Sequence, residues 1–266
     1  MNILILMGSP RKKDGYSVCK LIENKINERN QRNQTKFEYV YLKSLNIEDC
    51  RGCSLCFHKG ENYCPIEDDL KTIKQKLINA DGIIFVSPVY ACQITGSFKR
   101  MIERFSYLFH RPELVGKPAL TIVTTAGGGQ KAVTKYLKMT ACGWGCNLTG
   151  SIEIISPMFF KEDGNNRLFK KKYFDKKYKN IEKLTTNFYE TIQSKRLPVP
   201  GFYEIYMFNG LRSKTYTSML DYKYWDSKGW LDSTYYYDIN ISKVKKLFGS
   251  FINKIIKYMW EKMQSE

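Results

Sequence analysis

The chain has 266 residues, with 43 lysines and arginines against 26 aspartates and glutamates, and eight cysteines. Its hydrophobic content of 43% and aromatic content of 14% exclude a disordered chain, and its longest apolar runs, at about six residues, are far shorter than the roughly 20 that a transmembrane helix needs. The charge excess divides into +8 for residues 1–156 and +9 for residues 157–266, a diffuse distribution that argues against nucleic-acid binding.

The first predicted element is a strand at Ile3–Met7. The residues around it lack the basic flank and long apolar stretch of a secretory signal. We therefore expect a cytoplasmic protein, in which cysteines serve as metal ligands, redox groups or buried thiols rather than as disulfides.

The loop after this strand has the features of a phosphate site. It runs from Gly8 to Ser17 and leads into a helix predicted to end near Glu28. The helix N-terminus offers unpaired N–H groups, Ser9 and Ser17 offer hydroxyls, and Arg11 offers a charged fork. The loop has neither a Walker ending nor the three glycines of a dinucleotide fingerprint. Its composition favours a phosphomonoester, with an ordinary polar turn as the alternative.

A cysteine quartet follows the second predicted strand, Phe37–Leu42. Cys50, Cys53, Cys56 and Cys64 have the spacing C-x2-C-x2-C-x7-C. Three thiolates three residues apart on a folded loop can converge on one centre, which the fourth would close. This spacing is typical of an iron–sulfur cluster, while zinc and reduced structural thiols remain open.

Three further strands alternate with three helices. The strands are predicted at Gly82–Val86, Ala119–Thr124 and Ser151–Ile155, and the helices after Asp68 or Asp69, over about Ser97–Phe109 and over about Gln130–Cys142. Five strands alternating with four helices predict an α/β fold, a doubly wound five-stranded parallel sheet whose ligand lies beyond the carboxyl ends of the strands.

Two more loops at the same edge of the sheet suit a flat ring. In the loop after the third strand, Pro88 stiffens the turn, and Val89 and Tyr90 can lie against a planar ligand. In the loop after the fourth strand, Gly127 and Gly128 let the backbone approach a ligand closely. Three suitable loops at one edge predict a single binding site.

Residues 157–266 have a different composition and are predicted to form an appended, mainly helical region. They hold 12 of the 19 tyrosines and three of the four tryptophans. Seven of these aromatic residues are crowded together: Tyr222, Tyr224, Trp225, Trp230, Tyr235, Tyr236 and Tyr237. A helix over about Ser242–Met263 carries an apolar stripe. We expect the aromatic segment to form a lid, a pocket wall, extra core or a subunit contact. The helix is expected to dock on the domain or a partner subunit, or to lie on a membrane.

With these motifs in place, residues 1–156 resemble the flavodoxin-like NAD(P)H-dependent FMN reductase family. The resemblance rests on three segments: Gly8 to Lys12, Ser87 to Tyr90 with Thr95, Gly96, Lys99 and Arg104, and Cys53 to Cys56 ahead of Asp68 and Asp69. It implies an FMN domain at 1–156 and an extension at 157–266. It assigns the FMN phosphate to Ser9, Arg11, Lys12 and Ser17, and the ring to Pro88, Val89, Tyr90, Ala126, Gly127 and Gly128, with Tyr90 and Ala91 near flavin N5.

The cysteine spacing is similar to that of the iron-sulfur flavoproteins, whose compact cysteine motif holds a [4Fe-4S] cluster near FMN. That likeness implies Cys50, Cys53, Cys56 and Cys64 as cluster ligands. The expected activity is an FMN-dependent oxidoreductase, in which hydride passes from NAD(P)H to FMN N5. Electrons then pass to a quinone, another small acceptor or the cluster, and no dedicated acid or base is required.

Two alternatives to this enzyme are an electron-transfer module that serves ferredoxin-like partners with little NAD(P)H turnover, and a basic binding protein without redox activity. A homodimer or homotetramer is expected from the family resemblance and the apolar stripe. Neither His58 nor His110 stands in a motif with a carboxylate, so no hydrolytic triad is predicted.

Overall fold

Five parallel strands form the sheet around which the chain is built. The structure, a computed structural model, describes residues 1–29, 35–160 and 167–265. The strands are β1 (Asn2–Met7), β2 (Lys36–Tyr41), β3 (Gly82–Pro88), β4 (Pro118–Thr125) and β5 (Asn147–Ile155). They pair in the order β2-β1-β3-β4-β5, with Ile5 opposite Ile84 across the central pair. The predicted doubly wound sheet is confirmed, and the direction of winding changes between β1 and β3, where a ligand crevice is expected.

Ten α-helices lie within the described ranges. They are α1 (Asp14–Arg29), α2 (Leu55–His58), α3 (Leu70–Asn79), α4 (Gly96–Arg104), α5 (Gln130–Gly143), α6 (Ser156–Phe159), α7 (Arg167–Ser194), α8 (Phe202–Arg212), α9 (Met219–Ser227) and α10 (Lys243–Ser265). Short 3-10 turns occur at Leu42–Ser44, Glu61–Tyr63, Ser106–Phe109 and Ser213–Tyr216.

Helices cover both faces of the sheet, because parallel strands are apolar on both sides. On one face α3, α4 and α5 bury residues such as Phe98 and Leu137. On the other face α1 lies beside α7, whose Ile181 and Phe188 belong to the same core as the strands. A Cβ on Gly82 would lie 2.8 Å from the ring of Phe188, so the close approach of β3 and α7 requires glycine at that position. The long helix α7 thus forms part of the wall that encloses the sheet.

The rest of the extension is built around a separate aromatic core. Phe208 of α8 and Trp225 of α9 are fully buried, and they pack against Trp230, Tyr235 and neighbouring apolar side chains. The aromatic-rich, helical character predicted for this region is confirmed, and its crowded aromatic residues serve as core.

The final helix, α10, is only partly covered by the chain. The predicted stripe divides into two faces: Phe248, Ile252, Ile256 and Trp260 are half-buried, whereas Val244, Leu247, Phe251, Ile255 and Met259 are exposed. The half-buried face lies toward α8, whose Phe202 meets Phe248 edge to face at 5.2 Å. Across the parts of the chain that the structure describes, no helix is long and apolar enough to span a bilayer.

Candidate functional site

One cleft lies at the carboxyl ends of β1, β3 and β4. It is lined by Ser9, Arg11, Pro88, Val89, Tyr90 and Ala126, which the sequence analysis selected, and by Lys13, Asp14, Gly15, Thr124, Thr125 and Ser156. Lys12, Ser17, Gly127 and Gly128 do not line this cleft. The three loops predicted to share one edge of the sheet therefore do come together.

Close packing fixes the first loop. A Cβ on Gly8 would lie 2.8 Å from both Thr95 Oγ1 and the ring of Phe98. Only glycine therefore fits at this position of the loop. Ser9 Oγ accepts a hydrogen bond from the Arg11 N–H at 3.2 Å, which holds the turn. Because α1 begins at Asp14, Ser17 already lies inside the helix, and its hydroxyl donates to Lys13 O at 3.3 Å.

The loop after β3 contains a tight and strained turn. The backbones of Tyr90 and Gln93 exchange two hydrogen bonds of 2.9 Å, and the residues between them, Ala91 and Cys92, have φ values of 46° and 61°. Left-handed backbone at non-glycine residues is costly and clusters at functional sites. Arg11 Nη2 donates to Tyr90 Oη at 3.1 Å, so the turn is tied to the first loop.

The cysteine quartet surrounds a second cavity of about 410 Å³, lined by Cys50, Cys53, Cys56 and Cys64. Burial raises the pKa of the Cys56 thiol, and the neighbouring Cys50 and Cys64 raise it further. In the described ranges no three Cys, His, Asp or Glu side chains lie close enough to form a metal centre. The four thiols share one cavity without being drawn together around one point.

A buried ion pair holds one end of the cysteine loop. Arg104 of α4 and Asp68 form a salt bridge with side chains that are 2% and 1% exposed. Arg104 Nη2 also lies 3.7 Å from Cys64 Sγ, and Arg104 Nη1 donates to Glu48 O at 3.2 Å. Burial lowers the pKa of Arg104, but the hydrogen bond and charge of Asp68 outweigh it, and the net shift is upward. Arg104 is therefore a fixed cation beside the thiols.

A second buried arginine, Arg111, contacts the middle of the cysteine loop. It forms an ion pair with Asp221 of α9 and donates to Cys56 O at 2.6 Å. Asp221 also lies 2.7 Å from His110 Nδ1, so this histidine does have a carboxylate partner. Sequence reasoning missed the pair because Asp221 and His110 are 111 residues apart and no local motif joins them.

Helix α4 connects the two sites. Its N-terminal end follows the loop that carries Tyr90, and Ser97 Oγ donates to Gly8 O at 3.3 Å. Its last residue is Arg104, at the cysteine cavity. A rise of about 1.5 Å per residue places the ends of this helix roughly 12 Å apart.

Two known proteins are similar to this chain in sequence over most of its length. An iron-sulfur flavoprotein of Archaeoglobus fulgidus is 28% identical over 236 residues, which are 87% of this chain and 100% of the relative. An iron-sulfur flavoprotein of Clostridioides difficile is 29% identical over 215 residues, covering 78% of this chain and 86% of the relative.

Solved structures show the same fold. RosB with a bound 8-demethyl-8-formylriboflavin-5'-phosphate intermediate has a TM-score of 0.54 at 14% identity, over 91% of this chain and 92% of RosB. A family described as NADPH-dependent FMN reductase matches residues 1–160, more than half of the chain. The chain therefore belongs to the NADPH-dependent FMN reductase family and is a flavin-dependent oxidoreductase.

Proposed function

We propose that this chain binds FMN in the cleft at the carboxyl ends of β1, β3 and β4 and oxidises NAD(P)H, passing hydride to flavin N5. Bound there, FMN would supply electrons to a quinone, another small acceptor or a [4Fe-4S] cluster. The flavin supplies the redox chemistry, so the protein groups bind it, orient it and shape access to it. The observation that carries the proposal is the convergence of the three loops on one cleft.

The first loop fits the phosphate of FMN. Ser9 supplies a hydroxyl and Arg11 a guanidinium at the cleft. Asp14 and Gly15, the first residues of α1, also line it, and the N–H groups of a helix N-terminus suit a phosphate. Lys12 and Lys13 are exposed in the same loop and add positive charge. We propose Lys12 and Ser17 as further phosphate contacts, because Lys12 lies in the same loop and Ser17 in the first turn of α1.

The other two loops fit the flavin ring. Pro88, Val89 and Tyr90 line one side of the cleft and Ala126 the other. A Cβ on Gly129 would lie 2.9 Å from Val89 Cγ1, so the two loops already touch. We propose that Gly127 and Gly128 complete the ring site, since space for a Cβ is open at both. In the strained turn, the backbone of Tyr90 and Ala91 would face flavin N5.

Replacing Arg11 tests the phosphate site. Arg11→Met removes a charge-assisted hydrogen bond worth about 1.5–3 kcal/mol, so FMN affinity should fall roughly 10- to 150-fold. Titrating apoprotein with FMN and following the quenching of flavin fluorescence measures this. Arg29→Met, at the far end of α1, is the matched control and should bind FMN as the unaltered chain does. Equal affinity for the two variants would refute the assignment.

We propose that Cys50, Cys53, Cys56 and Cys64 bind a [4Fe-4S] cluster. Support comes from the shared cavity of the four thiols, from the soft-ligand chemistry of thiolates, and from the names of the relatives in Archaeoglobus and Clostridioides. Gly52, Ser54 and Gly60 have positive φ, which lets the loop fold back on itself. The buried Arg104 and Arg111 place positive charge near an anionic centre.

Iron and acid-labile sulfide, measured in anaerobically purified protein, test the cluster. Cys56→Ala should lose most of both while FMN content stays unchanged. Cys92→Ala removes an exposed cysteine outside the quartet and should change neither. Full iron and sulfide content in Cys56→Ala would contradict the assignment.

A second candidate function is electron transfer between protein partners with little NAD(P)H turnover. The exposure of Cys50 and Cys53 favours it, because a cluster there would lie near the surface and accessible to a ferredoxin-like protein. Mixing the anaerobic protein with NAD(P)H alone separates the two functions. Rapid bleaching of the flavin supports the enzyme, and a flavin that stays oxidised supports the electron-transfer module.

The organisation of the chain is also proposed. We divide it into an FMN domain at 1–156 and an extension at 157–266, with α7 of the extension packed on the sheet. A homodimer or homotetramer is supported by the exposed apolar face of α10, including Leu247 and Phe251, and sedimentation velocity tests it.

We also propose a cytoplasmic location. The eight cysteines of the chain are free thiols, which suits the reducing cytoplasm.

A further inference from the structure

Arg111 links the cysteine loop to the C-terminal extension. The side chain of Asp221, on α9, is fully buried and pairs with Arg111 Nη1. The other terminal nitrogen, Arg111 Nη2, donates to the backbone oxygen of Cys56 at 2.6 Å. The guanidinium therefore bridges a carboxylate of the extension and the backbone of a proposed cluster ligand.

A second connection runs beside the first. The other oxygen of Asp221 lies 2.7 Å from His110 Nδ1, and the His110 ring packs on Phe57 with centroids 4.4 Å apart. Ser218, which caps α9 by accepting the Asp221 N–H at 3.2 Å, has its hydroxyl 3.5 Å from Phe57 O. Cys56 and Phe57 are thus both linked to the carboxylate of Asp221, Cys56 through Arg111 and Phe57 through His110.

Helix α9 is itself firmly placed, so Asp221 is a fixed point. Trp225 is fully buried, and its Nε1 donates to His110 O at 2.7 Å. Tyr224 Oη donates to Pro112 O at 2.6 Å. These bonds tie the helix to the same short segment, residues 110–112, that carries the two partners of Asp221. The position of the Cys56 backbone follows from the position of α9.

We propose that Asp221 is a positioning residue for the cysteine centre. Through Arg111 and His110 it fixes the backbone at Cys56 and Phe57. This geometry lets Cys56 bind the cluster together with the other three cysteines. This inference rests on the proposed [4Fe-4S] cluster and extends it, because it gives the extension a part in forming the site. Groups that orient metal ligands without touching the metal typically change metal affinity 10- to 100-fold when they are altered.

The test compares Asp221→Asn with Asp226→Asn in the full-length protein. Asp226 is on the same helix and is exposed, so its replacement makes the same change in charge without touching the loop. Each protein is reconstituted anaerobically with ferrous iron and sulfide. Iron and sulfide per chain, the rate of iron release to a chelator, and the electron paramagnetic resonance spectrum of the reduced cluster are then measured. FMN content reports whether the sheet domain remains folded.

We expect Asp221→Asn to keep its FMN, to bind the cluster roughly 10- to 100-fold more weakly, with faster release of iron to the chelator, and to show an altered spectrum. Asp226→Asn should match the unaltered protein. An unaltered protein that takes up iron, with identical release and spectrum in Asp221→Asn, overturns this inference alone. An unaltered protein that takes up no iron overturns the cluster proposal and this inference with it.

A double variant decides the matter if Asp221→Asn alone loses FMN and fails to fold. Arg111→Met with Asp221→Asn removes both buried charges together, which proteins tolerate better than the loss of one partner. Loss of the cluster with FMN retained supports the positioning role, and retention of both cofactors overturns it.

Discussion

Replacing Asp68 by alanine should strongly destabilise the protein, because it leaves Arg104 buried without its partner. Asp68 accepts hydrogen bonds from the N–H groups of Glu48 at 2.9 Å and Leu70 at 3.1 Å, besides its ion pair with Arg104. Removing one partner of a buried pair costs about 3–5 kcal/mol. Arg104 retains backbone acceptors at Glu48 and Ile66, so we place the loss near the middle of that range, at about 4 kcal/mol.

Urea unfolding at a fixed FMN concentration measures this loss, with FMN held constant because ligand binding adds to apparent stability. With a slope of about 3 kcal/mol per molar urea, a loss of about 4 kcal/mol lowers the midpoint by about 1.3 M. Glu67→Ala is the matched control: this neighbouring carboxylate is 88% exposed, and its ion pair with Lys71 is 3.9 Å long. Such pairs contribute little. If both variants unfold at the same midpoint, the Asp68–Arg104 pair does not stabilise the loop as argued.

Two further predictions concern packing and backbone strain. Phe188→Ala, on α7, should lower the free energy of unfolding by about 3–5 kcal/mol, because it empties a fully buried site against the sheet; a change below about 1 kcal/mol in urea unfolding would show that α7 is not part of the sheet's core. Ala91→Gly should raise the free energy of unfolding by about 0.5–1 kcal/mol, because the steric cost of positive φ at alanine exceeds the entropic cost of glycine. A lower thermal midpoint for this variant would show that the backbone at Ala91 is not strained.

Local patterns were sufficient to predict the sheet and its helices. The wholly apolar run at Gly82–Val86 and the i, i+3, i+7 spacing of Leu70, Ile73 and Leu77 each determine an element without distant partners, and both elements formed as expected. Helix starts were less certain. Ser17 was expected in the phosphate loop, but α1 begins three residues earlier, at Asp14.

The parts that sequence reasoning missed depend on contacts between distant residues. Nothing near Arg111 indicates that its partner is Asp221, because the two meet only after the extension has folded back on the 3-10 turn before His110. For the same reason, the sequence predicts a single apolar stripe on α10, although the structure divides it into two faces. Which side of an amphipathic helix is covered depends on where its neighbour lies, and α8 covers only the face with Phe248 and Ile252.

Helix α4 is a rigid link between the flavin cleft and the cysteine loop. Phe98 and Met101 are fully buried in the core of the sheet, so the helix cannot shift without disturbing that core. Its N-terminal end is bonded to the first loop through Ser97, and its C-terminal residue, Arg104, pairs with Asp68 in the cysteine loop. A change in the cysteine loop that moved Arg104 would therefore move α4, and with it Ser97 and the loop at the flavin cleft. For this reason the Asp68→Ala protein should be examined for FMN affinity as well as stability, and a weaker affinity would show that α4 couples the two sites.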